Sequence, residues 1–252
     1  MFSLKRRIAC AFAMAAGLAA SAAAADADGR WTGPYVGFNL GGMKNGSDGT
    51  LSPSGNYLGV SFVANNPLRT DNLDFDGWGA TGGLQGGYGH QFDIFVVGIE
   101  ADFNYANKQE TDFVYRTLSA PLVRDFTHTV THRVQWFSTV RPRIGMAWGD
   151  AQFFATGGLA VARVKSESDT LFTSAGDRYY GSTQETQLGW TAGGGVEYEF
   201  DSNWSVKAEY LYMDLGQIKY TSSPPPAFPS FTYTTQFDVR ENIGRLGLNY
   251  RF

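Results

Sequence analysis

Cysteine is nearly absent from this 252-residue chain, histidine is scarce, and no long apolar run follows the N-terminal leader. Each shortage closes off a class of protein. The single cysteine, Cys10, lies inside a segment marked for removal, so no disulfide can staple the remainder and no thiol can serve as nucleophile. The three histidines, His90, His128 and His132, belong to no recognisable Ser/His/Asp arrangement, so the chain is expected not to be an enzyme and to need no cofactor. Past the leader nothing approaches the ~20 apolar residues of a membrane-crossing helix. Basic residues are outnumbered as well. Loss of Lys5, Arg6 and Arg7 with the leader takes the formal net charge from −4 to −7, a poor balance for binding nucleic acid.

The leader itself is plain. Lys5, Arg6 and Arg7 form a basic start, Ile8 to Ala20 an alanine-rich apolar run, and Ala23-Ala24-Ala25 an A-x-A cleavage site before Asp26. Residues 1–25 therefore read as a secretory signal peptide and 26–252 as the mature domain. That domain carries most of the 31 glycines and most of the aromatics that make up 15% of the chain, with few helix-favouring runs. The whole chain's low mean hydropathy of −0.24 suits strands that are apolar on one face only.

Period-two alternation picks out eight segments of roughly membrane-crossing length. They cover 35–41, 78–88, 95–105, 134–148, 153–164, 187–200, 204–212 and 239–252. The third is the clearest, with Phe95, Val97, Ile99, Ala101, Phe103 and Tyr105 against Gly98, Glu100, Asp102 and Asn104. The links between them alternate in length. Four long ones (42–77, 106–133, 165–186 and 213–238) are separated by short ones at 89–94, 149–152 and 201–203. Long outer loops and tight periplasmic turns around an even number of strands are the outer-membrane pattern. The expected fold is thus all-β, an eight-stranded antiparallel transmembrane barrel with four long extracellular loops, located in the cell outer membrane.

This topology sorts the six tryptophans into two girdles. Trp31, Trp148 and Trp204 fall at periplasmic strand ends, and Trp78, Trp136 and Trp190 at outer ends. Pro142 lies inside the fourth strand, where a bulge or a break in pairing is expected. The polar face collects Glu100, Asp102, Arg141, Arg143, Glu197, Glu199, Lys207, Glu209, Arg245 and Arg251. Eight strands leave a lumen just wide enough for side chains, and buried charges demand partners. An interior ion-pair network follows, either a plug or the lining of a narrow pore; we favour the plug.

Other motifs carry less. Gly82 to Gly89 resembles a phosphate loop, but no Lys-Ser/Thr and no helix follow, and small residues against bulky barrel neighbours suffice. His128 and His132 flank the β-branched Thr129-Val130-Thr131; extended, they stand about 13 Å apart at ~3.3 Å per residue, too far to share a metal. We read them as solvated loop residues; the alternative is convergence on zinc or an iron-porphyrin. Ser222-Ser223 and the prolines from Pro224 to Pro229 suggest a stiff spacer in the fourth long link.

Several segments together resemble the alphaproteobacterial immunogenic outer-membrane proteins, often described as porin-family. They are Trp31-Thr32-Gly33-Pro34-Tyr35-Val36-Gly37, Gly82 to Tyr88, Thr139-Val140-Arg141-Pro142-Arg143-Ile144-Gly145, Thr156 to Ala160, Gly189 to Tyr198, Lys207 to Tyr212 and Tyr250-Arg251-Phe252. The family usually has an aromatic where Pro34 stands and glycine where Pro142 stands. The resemblance covers the strands and little of the loops. It implies an abundant surface barrel with envelope-integrity and antigenic roles; porin activity and haemin binding are attributed to some members, and the runner-up functions are accordingly a small porin or a loop-borne binding or adhesion protein. The alternating Leu246, Leu248, Tyr250 and Phe252 resemble the terminal signal read by the barrel-assembly machinery. Expected partners are that machinery and periplasmic chaperones, outer-membrane lipid and lipopolysaccharide, and a second copy of the chain.

Overall fold

The computed structural model describes residues 29–57, 60–61, 71–75, 77–118, 124–172, 176–224 and 231–252. The segment expected to be a signal peptide and Pro225, Pro226 and Pro229 of the fourth link lie outside them. The strands among these residues are β1 (Gly33–Asn45), β2 (Ser47–Tyr57), β3 (Val60–Ser61), β4 (Asp71–Phe75), β5 (Trp78–Phe92), β6 (Phe95–Leu118), β7 (Arg124–Trp148), β8 (Ala151–Phe172), β9 (Asp177–Asp201), β10 (Trp204–Thr221) and β11 (Phe231–Arg251). Eight of them close a ring in the order β1, β5, β6, β7, β8, β9, β10, β11, with β11 returning antiparallel to β1. Closure matters because a sheet in lipid has no water to satisfy an open edge.

The other three strands belong to the first long link, and two of them prolong the wall. Asn45 faces Glu241 and Gly49 faces Phe237 in one unbroken register, so β2 continues β1 along β11. Likewise Lys44 pairs Trp78 and Ser47 pairs Phe75, so β4 continues β5.

The same lesson holds elsewhere and corrects the expected loop map. Most of 106–133, 165–186 and 213–238 is not loop but ladder, since β6 and β7 pair out to Leu118–Arg124 and β8 and β9 out to Phe172–Asp177. Backbone groups leaving the membrane still need partners, and extending each hairpin supplies them while also making an interior. Pairing of β9 with β10 is shorter: it runs from Asp201 to Trp190 and resumes at the single bridge Tyr180–Ser223.

The short connections are two-residue turns at 93–94, 149–150 and 202–203, and Asp93 (φ 55°) and Gly149 (φ 59°) supply the left-handed backbone that tight hairpins need. Pro142 interrupts pairing rather than bulging. The β7–β8 ladder stops at Val140–Leu159 and restarts in the same register at Arg143–Thr156, and Thr156 Oγ1 donates to the Pro142 carbonyl at 2.9 Å. The register shift in β7 lies instead at Val134–Trp136. Its buried, inward residues are odd-numbered below (Phe137, Thr139, Arg141, Arg143) and even-numbered above (Val134, His132, Val130, His128).

This change of phase marks a division of the molecule into two parts with opposite dress. In the lower part Phe38, Leu40, Leu84, Ile99, Phe103, Ile144 and Leu246 face outward, exposed to lipid, while the interior is polar. In the upper part the interior is apolar, built from Val130, Val134, Val164, Phe172, Tyr179, Ile218, Tyr233, Phe237 and Val239 among others. β11 shows both in one strand: Tyr233, Phe237 and Val239 point inward above, Arg245, Asn249 and Arg251 below.

Candidate functional site: the charged lumen

Inward positions on neighbouring staves bring opposite charges together by register alone. Glu100 on β6 pairs directly with Arg141 on β7, Glu209 on β10 with Arg245 on β11, and Lys207 on β10 with Glu197 on β9. Across the narrow lumen these pairs join into one node of four carboxylates and four cations, all buried.

Glu100 is its hub. Arg141 reaches it at 2.6 Å, Lys207 Nζ at 2.8 Å from both oxygens, and the Tyr35 hydroxyl donates to it at 2.7 Å. Arg143 and Arg245 each lie 3.6 Å away. Arg141 also touches Asp102 at 3.1 Å and Glu209 at 3.0 Å; Arg245 touches Asp102 at 2.7 Å and Glu209 at 2.7 Å. Glu197 binds Arg143 and accepts from Ser205 (2.6 Å) and Asn249 (2.8 Å). Neutral amides fill the remaining width, with Asn39, Gln85 and Asn249 in a chain. Formal charges cancel among Glu100, Asp102, Glu197, Glu209, Arg141, Arg143, Lys207 and Arg245, which is how so many ions are accommodated out of water.

Glycine makes room for them. A Cβ on Gly41 would stand 2.7 Å from Cα and Cβ of Arg245, and one on Gly87 would stand 2.6 Å from the Tyr35 hydroxyl. The glycine run of β5 therefore serves packing, as its sequence context suggested.

Further side chains occupy the lumen on either side of this node. Below, Arg251 donates to the carbonyls of Trp31 (3.1 Å) and Gly33 (3.2 Å) and lies over the rings of Trp31 and Tyr35. Trp31 is accordingly 1% exposed and is no girdle residue. It precedes β1, where Gly33 (φ 125°) turns the chain, and its odd number places it with the inward Tyr35 and Asn39 rather than the outward Val36, Phe38 and Leu40. The other tryptophans face outward: Trp148 and Trp204 near the periplasmic rim, Trp78 and Trp190 near the outer one, and Trp136 half-buried and stacked on Phe103. The twelve residue steps of β7 from Trp148 to Trp136, at ~3.3 Å each and a tilt of about 40°, rise roughly 30 Å, the depth of an apolar membrane core.

Above the node, at the outer rim, lies a second cluster that the sequence did not reveal. Lys108 binds Glu241 at 2.6 Å and Glu110 at 3.3 Å, and Asn45 donates to Glu110 at 2.7 Å. Still higher, and beyond the tryptophan ring, His128 and His132 point inward and are buried, which overturns the solvated-loop reading. His128 shares a hydrogen bond with Thr170, and the His132 ring meets the Phe237 edge at 4.9 Å. Burial pushes the His128 imidazole down to about 4 against the pull of Asp112 and Asp169, and burial together with Lys108 pushes His132 down to about 3. Both are neutral core residues. No group of three His, Cys, Asp or Glu side chains able to hold a metal occurs among the described residues.

The terminal strand seals the ring. Leu246, Leu248 and Tyr250 face lipid opposite Leu40, Phe38 and Val36, and the Phe252 amide donates to the Pro34 carbonyl at 3.0 Å.

Comparison with known proteins places this architecture. The family model of the outer membrane protein beta-barrel domain matches residues 10–252. The 31 kDa outer-membrane immunogenic protein of Brucella melitensis is 33% identical over 232 residues, 88% of this chain and 84% of that one. The 22 kDa outer membrane protein of Rhizobium leguminosarum is 26% identical, over 79% of this chain and 77% of its own. Among solved structures, the outer membrane protein OprG of Pseudomonas aeruginosa superposes with a TM-score of 0.52 at 14% identity, covering 90% of this chain and 99% of that one.

Proposed function

Since the chain belongs to the outer membrane protein beta-barrel domain family and resides in the outer membrane, we propose that it works as a sealed structural wall of the envelope, neither conducting solutes nor catalysing a reaction. The observation that carries this reading is the neutral eight-charge node. Every lumen carboxylate in it is committed to at least one guanidinium or ammonium group. None is left as a base for chemistry or as a fixed charge for passing ions. The Arg251–Trp31 stopper below and the apolar filling above support the same conclusion. A barrel closed in this way contributes area, stiffness and surface rather than a path.

Planar-bilayer recording of the purified, folded protein tests it. The expected trace stays at baseline at all voltages. Discrete conductance steps that scale with salt would replace this reading with that of a small porin. In cells, loss of the gene is expected to raise sensitivity to detergent and chelator without changing uptake of small solutes.

A further inference from the structure

Just above the outer tryptophan ring, the outward face of β7 and β8 carries a concentration of positive charge that the lumen does not explain. Arg133 stands directly opposite Lys165 in the β7–β8 ladder, and Arg163 shares a rung with Trp136. Arg163 and Lys165 are two residues apart on the same face, about 7 Å along the strand. Like charges placed directly opposite each other disfavour pairing, so this arrangement calls for something that the protein does not supply. Its own compensation is partial. Lys165 meets Glu167 at 2.9 Å and Arg133 bonds to the neutral Gln109, while Arg163 has no carboxylate partner among the described residues.

Two other cations of the upper wall are paired. Arg240 lies 3.0 Å from Asp238 and 3.6 Å from Asp214, and Arg178 pairs with Asp169. Arg133, Arg163 and Lys165, by contrast, gather on one sector of the wall. Immediately beneath it the surface is apolar, with Leu159, Leu188 and Trp190 exposed. A cationic shelf over an apolar skirt, at the outer face of the membrane, fits an amphiphile with more than one anionic group on its head and acyl chains below.

We propose that Arg133, Arg163 and Lys165 form a binding site for the phosphorylated headgroup of lipid A, through which the barrel is clamped to the lipopolysaccharide leaflet. Three cations spread over two strands exceed what a single-phosphate phospholipid can satisfy, whereas a diphosphorylated glycolipid can bridge Arg163 to the Arg133–Lys165 pair by charge-assisted hydrogen bonds. The inference deepens the reading of the protein as a structural wall and rests on it for its purpose. The two fail separately, because lipid binding and conductance are read in different experiments.

The test uses the full mature chain in phosphatidylcholine nanodiscs, titrated with bisphosphoryl lipid A, dephosphorylated lipid A and phosphatidylglycerol, with bound lipid counted by native mass spectrometry. Replacing all three residues (Arg133→Gln, Arg163→Gln, Lys165→Gln) should raise the apparent Kd for bisphosphoryl lipid A at least tenfold. A control that removes equal charge elsewhere (Lys44→Gln, Lys219→Gln, Arg240→Gln) should leave it within twofold. Dephosphorylated lipid A and phosphatidylglycerol should bind wild type no better than the triple variant binds lipid A. The single variant Arg163→Gln, far from any core contact, should give a threefold or larger loss and stands in if the triple variant does not fold. Equal weakening in test and control variants would reduce the patch to diffuse attraction, and undiminished binding of dephosphorylated lipid A would overturn the proposal.

Discussion

Single side chains in this barrel matter through what they leave behind when removed. Lys207→Met would strip Glu100 of one of its two closest cations in a buried site. Losing one partner of a buried pair costs about 3–5 kcal/mol. Urea titration of the folded protein in vesicles should show a loss of that size. Replacing both Glu209 and Arg245 by Met should cost much less than either change alone, because Arg141 and Asp102 would still hold each other at 3.1 Å. The buried histidines give a second test. Their folded values, about 4 and about 3, lie below the ~6.5 of an unfolded imidazole. The unfolded chain therefore binds protons first as pH falls. Stability supplied by the neutral rings is complete above pH ~6.5 and is lost progressively between there and about pH 3–4. A His128→Gln, His132→Gln variant should show a flatter fall in denaturation midpoint across that window. An unchanged slope would place the acid sensitivity elsewhere.

At the scale of the strand, the β7 register shift keeps two incompatible patterns in phase. Deleting Gln135 would join them without the offset and turn either the upper or the lower inward set outward. Since the lower set carries Arg141 and Arg143, the upper one should yield. Proteolysis is expected to cut β7 between 124 and 134 while the lower barrel keeps its heat-modifiable migration on gels. Truncation of Phe252 acts at the other end of the element order and should reduce the fraction of protein reaching that heat-modifiable form in the outer membrane. Normal assembly would count against the terminal aromatic as a recognition signal. These phase relations also explain what could and could not be read from the sequence. The membrane portions were legible because Phe95 to Tyr105 alternates without a break, and the ion pairs because their residues fell on the polar side of that alternation. The upper strands were not, since there the apolar residues change sides. Val130, Tyr233 and Phe237 look like scattered hydrophobes in a polar loop until the ladder shows that they share an interior. Trp31 was misplaced because it was assigned by its place at a strand end, whereas its odd number puts it in the inward series of Tyr35 and Asn39.

The whole molecule behaves as two barrels stacked end to end and sharing their staves, one polar on its outside and the other on its inside. Neither half can slide into the other's surroundings. Lifting the barrel by one rung pair would draw Leu159 and Leu188 toward water, and lowering it would press Arg163 and Lys165 into hydrocarbon. The level at which the pattern inverts is therefore a built-in gauge of bilayer thickness. Mismatch costs only fractions of a kcal/mol per ångström, but that is enough to sort proteins among membranes. Folding yield and stability are expected to peak in vesicles whose hydrocarbon depth equals the distance between the tryptophan rings, and to fall on both sides as the lipid chains are shortened or lengthened. A barrel gauged in this way would resist local thinning and thickening alike, and many copies side by side would hold the leaflets at one even separation.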